Sequence, residues 1–266
     1  MKEVWMILKE QIDNFHMIRK LALYNMKTEY SNHYLGMFWN ILQPLLQVVI
    51  YYVVFGMGLR HGSTGLTYLL HLVSGLFPWL FISQSLNSGA NAIYAQLGLV
   101  TKMKFPSSVL LSISFTNTFI NLLYTTVIVV LMSLANGYRG YMHFFEFLYF
   151  IVAAFSIIFA INLLMSTLVI LVRDTRLILQ NILRMGFFLT PIFWEVSTAS
   201  PILQKIASLN PFAYLVGIYR NAFIEGNEAI YGNIGDHLYF WSITLLLMFI
   251  GSHIHYRFKN RLVDYL

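Results

Sequence analysis

The sequence predicts an all-α membrane protein with six transmembrane helices, an amphipathic interfacial helix at the N-terminus and short re-entrant outer helices between spans five and six. Apolar residues make up 58% of the 266 residues and charged residues only 11%, against about 45–50% and about 25% in soluble domains. Charged residues are also absent from long tracts, at 30–59, 61–101, 105–138, 147–172 and 238–256. A membrane-spanning helix needs about 20 mostly apolar residues, so these tracts indicate spans.

We place the spans at about 38–59, 66–86, 107–135, 146–172, 177–194 and 237–256. An even number puts both termini on one side. The bases on that side are Lys2, Lys9, Arg19, Lys20, Lys27, Lys102, Lys104, Arg173, Arg176, Arg257, Lys259 and Arg261, against Arg60, Arg139, Lys205 and Arg220 on the other. Basic residues accumulate on the cytoplasmic side, so we expect both termini in the cytoplasm.

Residues 4–26 have the pattern of an amphipathic helix. Val4, Leu8, Ile12, Phe15, Ile18 and Ala22 share one face, and Lys9, Asp13 and Lys20 lie opposite. We expect this helix to lie in the inner headgroup layer, with packing on a soluble partner as the alternative. The sequence thus divides into a cytoplasmic interface helix at 1–30 and a single six-helix domain at 31–266. No cleavable signal peptide is apparent, so the first span is expected to direct its own insertion.

Polar residues, glycine and proline interrupt the first two spans. Gln43, Pro44 and Gln47 lie in the first, where the glutamines either line a pathway or bond to neighbouring helices. Gly75, Pro78 and Trp79 are expected to break the second near its middle. Arg184 falls in the fifth span, where snorkelling to the inner interface or pairing within the bundle is the simpler interpretation.

Two cytoplasmic connections are candidates for contact with a soluble partner. Residues 87–106 predict a short cytoplasmic helix followed by the start of the third span, and residues 173–176 predict a compact elbow after the fourth. The alternative for both is an ordinary basic loop. On the outer side, 190–223 contains apolar pieces broken by proline and asparagine, too short to cross, which we interpret as re-entrant helices forming an outer gate.

Several kinds of chemistry have no signature in the sequence. It has no G-x-x-x-x-G-K-[ST] phosphate loop, so any ATP hydrolysis would belong to another subunit, and no cysteine. The first four spans and the last lack ionisable residues at mid-membrane depth, which disfavours ion coupling and a membrane-embedded transferase. The histidines lack the spacing of a catalytic metal site. We predict neither a catalytic residue nor a metal site, and no nucleic-acid partner.

Four segments together resemble the polysaccharide-export branch of ABC transporter permeases. They are Tyr34, Leu35, Gly36, Phe38, Trp39, Gln43 and Pro44 before and within the first span, LVTKMKFP at 99–106, RDTRLILQNILRMGFFLTPIFW at 173–194, and LNPFAYLVGIYRNAF at 209–223. Within that branch, VFGMGLR at 54–60 and the closing VDYL look most like teichoic acid translocation permeases. A permease for O-antigen or capsular polysaccharide is the alternative.

The resemblance implies a homodimer with two ATPase subunits that bind ATP and Mg, in a bacterial plasma membrane. The cargo would be a polymer linked to undecaprenyl diphosphate. Coupling to the ATPase would involve Asn91, Tyr94, Gln96, Arg173, Asp174 and Arg176, and the substrate pathway Leu35, Gly36, Phe38, Trp39, Gln43, Gln47 and Lys102. The outer gate would include Pro191, Phe193, Trp194, Asn210, Pro211 and Tyr219.

Overall fold

The computed structural model describes residues 2–31, 34, 36–58, 65–98, 105–138, 143–224 and 231–259, and within them all regular structure is helical. The N-terminal helices are α1 (Lys2–Asp13) and α2 (Phe15–Ser31), and α3 (Trp39–Tyr51) follows a 3-10 turn at Gly36–Phe38 and continues as a π-helix over Tyr52–Gly58. The remaining α-helices are α4 (Leu66–Ala95), α5 (Ser107–Ala135), α6 (Phe144–Leu171), α7 (Thr175–Leu189), α8 (Pro201–Leu209), α9 (Pro211–Asn221) and α10 (Ile234–Phe258).

Within the described ranges, four helices are long and apolar enough to cross a membrane, namely α4, α5, α6 and α10. The bounds of α5, α6 and α10 agree closely with those of the predicted third, fourth and sixth spans. The predicted first span corresponds to α3 and its π-helical continuation, which has a shorter apolar segment at Ile41–Phe55. The predicted fifth span corresponds to α7, which has 15 residues and ends at Leu189, because the chain bends at 190–194 instead of continuing to Trp194.

The second predicted span needs two corrections. Helix α4 runs without interruption through Gly75 and Pro78, so the expected break is wrong. The helix also continues to Ala95, past the predicted end at residue 86, and after a turn at Gln96 the chain is helical again at 97–98. The following residues of the predicted cytoplasmic helix, 99–104, lie outside the described residues. Asn87 and Asn91, which the prediction placed after the second span, lie within α4 and line a cavity.

The N-terminal segment is two helices, because a turn at Asn14 separates α1 from α2. Helix α1 contacts α5 and α10, and α2 contacts α5. Ile7, Ile18 and Ala22 are buried in these contacts. Ile12 and Phe15 remain exposed and leave an apolar face available for lipid.

Polar contacts hold α1 against the ends of α5 and α10. Ser108 donates a hydrogen bond to Glu10 at 2.6 Å, and Lys259 forms an ion pair with the same carboxylate. His253 pairs with Glu3 at 3.1 Å. On the same helix, His255 lies within hydrogen-bond distance of Ser107 and Thr167. The start of α5 and the ends of α6 and α10 therefore meet at one end of the bundle.

The core forms around α4, which packs on α5, α6 and α9, while α10 packs on α6. Small residues allow the close approaches, as is usual between membrane helices. A Cβ added at Gly89 of α4 would collide with the Asn162 side chain of α6, which donates to the Ser85 carbonyl at 3.0 Å. On the outside, large side chains such as Leu131 and Leu245 are exposed, as expected for surfaces that face lipid.

Candidate functional site: polar cavities in the helical bundle

Two helices carry rows of uncharged polar residues with helical spacing. On α4 the row is Gln84, Asn87, Ser88 and Asn91, and on α5 it is Ser114, Asn117, Asn121 and Thr125. Residues three or four apart share a helix face, so each row forms a continuous stripe. The two helices pack together, which brings the stripes to one side of the α4–α5 pair. Within two apolar helices, this arrangement creates a hydrophilic surface with no charge of its own.

Two adjoining cavities lie along these stripes. The first, of about 270 Å³, is lined by Gln43 and Pro44 of α3, with Phe77, Leu80, Phe81, Gln84 and Ser88 of α4 and Ser114, Asn117, Thr118, Asn121, Leu122 and Thr125 of α5. The second, of about 540 Å³, continues along Asn87 and Asn91 to Gln96, Asn25 and Arg176. Both are lined by Gln84, Ser88, Ser114, Asn117 and Thr118, so the polar surface is continuous from one to the other.

Two acceptor atoms in these cavities lack an internal partner. The side-chain carbonyl oxygens of Asn91 and Asn117 are buried and have no hydrogen-bond partner within the part of the chain that the structure describes. A buried acceptor without a donor costs about 1–3 kcal/mol. Both atoms are therefore suited to accept from water or from a hydroxylated ligand.

A third cavity, of about 520 Å³, lies between α3, α4 and α7. Its polar lining is Gln47, Ser83, Asn87, Gln180 and Arg184, and its apolar lining is Tyr51, Trp79, Leu80, Leu183, Phe187 and Phe188. Asn87 lines both the second and the third cavity, so the polar surface passes from the α4–α5 side to the α4–α7 side.

The segment after α7 is folded into the core. Phe193 stacks on Phe55 with ring centroids 4.4 Å apart, which joins it to the π-helical part of the first apolar helix. Asn210 caps α9 and donates to the Thr190 hydroxyl at 3.1 Å. Tyr219 is fully buried and lies within hydrogen-bond distance of Thr126 of α5.

Arg220 was counted among the bases of the outer side, and the structure shows that its side chain is buried in the bundle. The side chain is only 5% exposed and donates to the Ser74 hydroxyl and the His71 carbonyl of α4, both at 3.3 Å. Gly75 makes room for it, because a Cβ there would meet the Arg220 guanidinium at 2.5 Å. The glycine predicted to break α4 thus serves to admit an arginine from α9.

The residues predicted for coupling fall into two groups. Asn91, Gln96 and Arg176 line the second cavity together, although Arg176 is distant from the other two in the sequence. Tyr94 is exposed in the last turn of α4. Arg173 and Asp174 are exposed in the turn between α6 and α7.

The predicted pathway and gate residues are similarly divided. Gln43 lines the first cavity and Gln47 the third. Phe38 and Trp39 are exposed beside Gly36, whose φ of 49° favours glycine. Leu35 and Lys102 lie outside the described residues. Of the gate residues, Pro191 and Phe193 are buried, Trp194 donates to the Phe188 carbonyl at 3.2 Å, and Pro211 is the first residue of α9.

Four residues at the centre of the polar surface were not predicted from the sequence, namely Gln84, Asn87, Asn117 and Asn121. The signal was present as amides recurring every three or four residues inside two uncharged tracts. Because span prediction depends on charge and average hydropathy, neutral amides in a strongly apolar helix were not identified as site residues.

The fold and the cavities define a class, a helical membrane transport protein whose interior cavities are lined mainly by amides and hydroxyls. The chain belongs to the ABC-2 type transporter family, whose model matches residues 18–224. It is 26% identical over 202 residues to the O-antigen export system permease protein RfbA of Myxococcus xanthus, covering 75% of this chain and 77% of that protein. The protein of that name from Klebsiella pneumoniae is 25% identical over 91% of this chain and 92% of its own length. The polysialic acid transport protein KpsM of Escherichia coli is 23% identical over 90% of this chain and 92% of its own length.

Proposed function

We propose that this chain is the permease subunit of an ATP-driven exporter that carries a lipid-linked envelope polysaccharide across a bacterial plasma membrane. The observation that carries the proposal is the continuous surface of neutral amides and hydroxyls on α4 and α5. Sugars offer hydroxyls that donate and accept hydrogen bonds, and Asn91 and Asn117 offer unpaired acceptors. A surface with few charges binds such groups weakly enough to release them again.

The relatives' names support one class of cargo over another. They refer to O-antigen export and polysialic acid transport, which favours the alternative stated above, an O-antigen or capsular polysaccharide, over the teichoic acid predicted first. Undecaprenyl diphosphate as the carrier lipid belongs to the same proposal.

The source of work is proposed to be a separate ATPase. Membership of the ABC-2 type transporter family supports a separate ATPase. The sequence supports it as well, since it contains no phosphate loop of its own. In the proposed assembly two copies of this six-span chain join two ATPase subunits that hold ATP and Mg, with both termini in the cytoplasm. Exposed apolar residues on both α3 and α7, including Ile50 and Ile178, provide a surface on which a second copy would pack.

Coupling is proposed at the end of α4 and at the turn before α7, where Asn91, Gln96 and Arg176 line one cavity. Because both elements line this cavity, a movement of the end of α4 or of the turn before α7 would be transmitted to the other. The gate is proposed where Phe193 stacks on Phe55, because separating these rings would open the bundle beside α3.

The test uses the chain reconstituted in vesicles with its ATPase. We expect ATP-dependent export of a lipid-linked polysaccharide, and we expect simultaneous replacement of Asn91, Tyr94 and Arg173 by alanine to leave ATP hydrolysis while abolishing export. Alanine at Asn136, Tyr124 and Lys20, exposed residues of matching chemistry outside the coupling elements and the gate, provides the matched triple control. Export that continues without ATP under a pH gradient, or an unchanged export rate in the triple variant, would contradict the proposal.

A further inference from the structure

Arg184 is a cation placed among exposed apolar side chains. It lies in the second half of α7, and Ile182, Met185 and Phe188 near it are 46%, 58% and 61% exposed. An arginine in an apolar layer is costly unless an anion, a polar cavity or water compensates it. Among the described residues, no hydrogen bond or ion pair of Arg184 is found. The Arg184 side chain is itself exposed, and its charge has no anionic partner within this part of the chain.

The third cavity shows what kind of group would compensate it. Its lining contains Arg184, two glutamines, an asparagine and a serine, and no aspartate or glutamate. The arginine offers a planar fork of donors suited to two oxygens of one anion. Gln47, Gln180 and Asn87 add amide donors around it. The electrostatics of this cavity favour an oxyanion over a cation or a neutral group.

The size of the cavity and its apolar side further restrict the chemical class of ligand that it can bind. Its volume of about 520 Å³ lies within the range of small-molecule sites. Trp79 and Phe187, with ring centroids 6.1 Å apart, form an aromatic wall on the apolar side. A phosphoryl or carboxylate group attached to a sugar would pair with the arginine and place the sugar near the aromatic rings.

We propose that Arg184 is an anion-binding residue for the cargo, and that the α3–α4–α7 cavity takes a phosphoryl or carboxylate oxyanion attached to a sugar or to its carrier lipid. The inference rests on the proposed function, because it takes that function's cargo as the source of the anion. It changes the interpretation of Arg184, which the sequence analysis assigned to snorkelling or pairing within the bundle. It also gives Gln47 and Gln180 a shared role, although they belong to different helices.

Two substitutions test the role of the Arg184 charge in different ways. Arg184→Gln removes the cation. Gln180→Glu keeps the cation but places a carboxylate four residues before it, a spacing that forms a stabilising ion pair on a helix. Both are expected to lower anion binding, and Gln180→Glu should do so without loss of folding. Lys205→Gln removes one positive charge from an exposed position on α8 and serves as the matched control.

Binding is measured on the complex with its ATPase, without nucleotide, using three probes: a polyprenyl diphosphate, the corresponding polyprenol, and a water-soluble oligosaccharide of sialic acid. We expect at least one anionic probe to bind about ten-fold more weakly to the Arg184→Gln and Gln180→Glu variants. Polyprenol binding should not change in any variant, and Lys205→Gln should bind all three as the unmodified chain does.

The anionic probe whose binding depends on Arg184 identifies the source of the anion, which is the carrier lipid for the diphosphate and the polymer for the sialic acid oligosaccharide. If the binding of neither anionic probe depends on Arg184, or if Gln180→Glu binds both as the unmodified chain does, the inference is overturned. A complex that exports polymer with ATP but shows no such dependence overturns this inference alone. A complex that binds the anion through Arg184 but exports nothing overturns only the proposed function.

Discussion

Gly251 of α10 lies so close to Ala160 of α6 that a Cβ at residue 251 would stand 2.9 Å from the Ala160 carbonyl oxygen. The backbone of the next turn is also near, with the Leu164 nitrogen 3.2 Å away. Backbone atoms cannot rotate aside as a flexible side chain can. The pairing of α6 with α10 therefore depends on the absence of a side chain at this position.

We expect Gly251→Ala to lower the stability of the protein by about 1–3 kcal/mol, since overpacking forces the helices apart. Gly235→Ala on the same helix is the control, because a Cβ there meets nothing within 4 Å. The measurement is thermal unfolding of the purified protein in detergent. Equal midpoints for the two variants would mean that α6 and α10 are not packed as described.

Asn117→Leu should separate transport from stability. The Asn117 side-chain oxygen is buried without a partner in the described structure, so its removal should leave the unfolding temperature unchanged or raise it. Loss of a hydrogen bond to the cargo, worth about 0.5–1.5 kcal/mol, should lower the export rate roughly two- to ten-fold. Thr116→Val, at the adjacent residue, is the control, since Thr116 bonds to the Ser112 carbonyl of its own helix. An export rate equal to that of the control would exclude Asn117 from the pathway.

The hydroxyl of Tyr149 holds together the bundle end opposite to α1. It lies 2.7 Å from the Tyr214 hydroxyl, 3.2 Å from His237 Nδ1, and accepts from Trp241 at 2.9 Å. Tyr149→Phe removes all three contacts and is expected to destabilise the protein by about 1–3 kcal/mol. Tyr124→Phe, at a partly exposed position on α5, should change the unfolding temperature little. A Tyr149→Phe variant as stable as Tyr124→Phe would show that this cluster contributes nothing.

The ion pair between Glu10 and Lys259 is expected to keep α1 on the bundle. Lys259→Met should increase hydrogen exchange in residues 2–13, because Glu10 then retains only the Ser108 contact. Since both side chains are about one-quarter exposed, with values of 26% and 25%, the effect should be near 1 kcal/mol or less. Lys9→Met, an exposed base on α1 itself, is the control. Exchange that stays the same in Lys259→Met would indicate that the other contacts of α1, among them the Glu3–His253 pair and buried Ile7, are sufficient to hold it.

Charge spacing predicted the long helices well because the apolar layer imposes their length. Residues 107–135 are an example, where the prediction and the structure agree at both ends. The same reasoning placed the end of the second span too early. At Asn87 the sequence alone does not tell whether an amide faces water outside the membrane or a cavity within it, since that depends on Asn117 in the facing helix.

Contacts between distant segments were likewise beyond the sequence pattern. Arg220 was counted only as a base of the outer side, and its burial was not foreseen because it depends on Ser74 and Gly75, about 145 residues earlier in the chain. The predicted pathway residues Gln43 and Gln47 do line cavities, because polar residues in an apolar tract have few favourable alternatives. Their division between two different cavities required the three-dimensional arrangement.

The turn at Asn14 gives the N-terminal segment a mechanical property. Helix α1 is fixed to the end of α10 by Glu3 and Glu10, while α2 follows α5. Because Glu10 also bonds to Ser108 at the start of α5, a shear of α5 past α10 would strain the contacts of α1 and change its angle to α2. Asn14 would act as a hinge, and distance probes attached at Trp5 and Tyr24, both exposed, would register its angle as the subunit works.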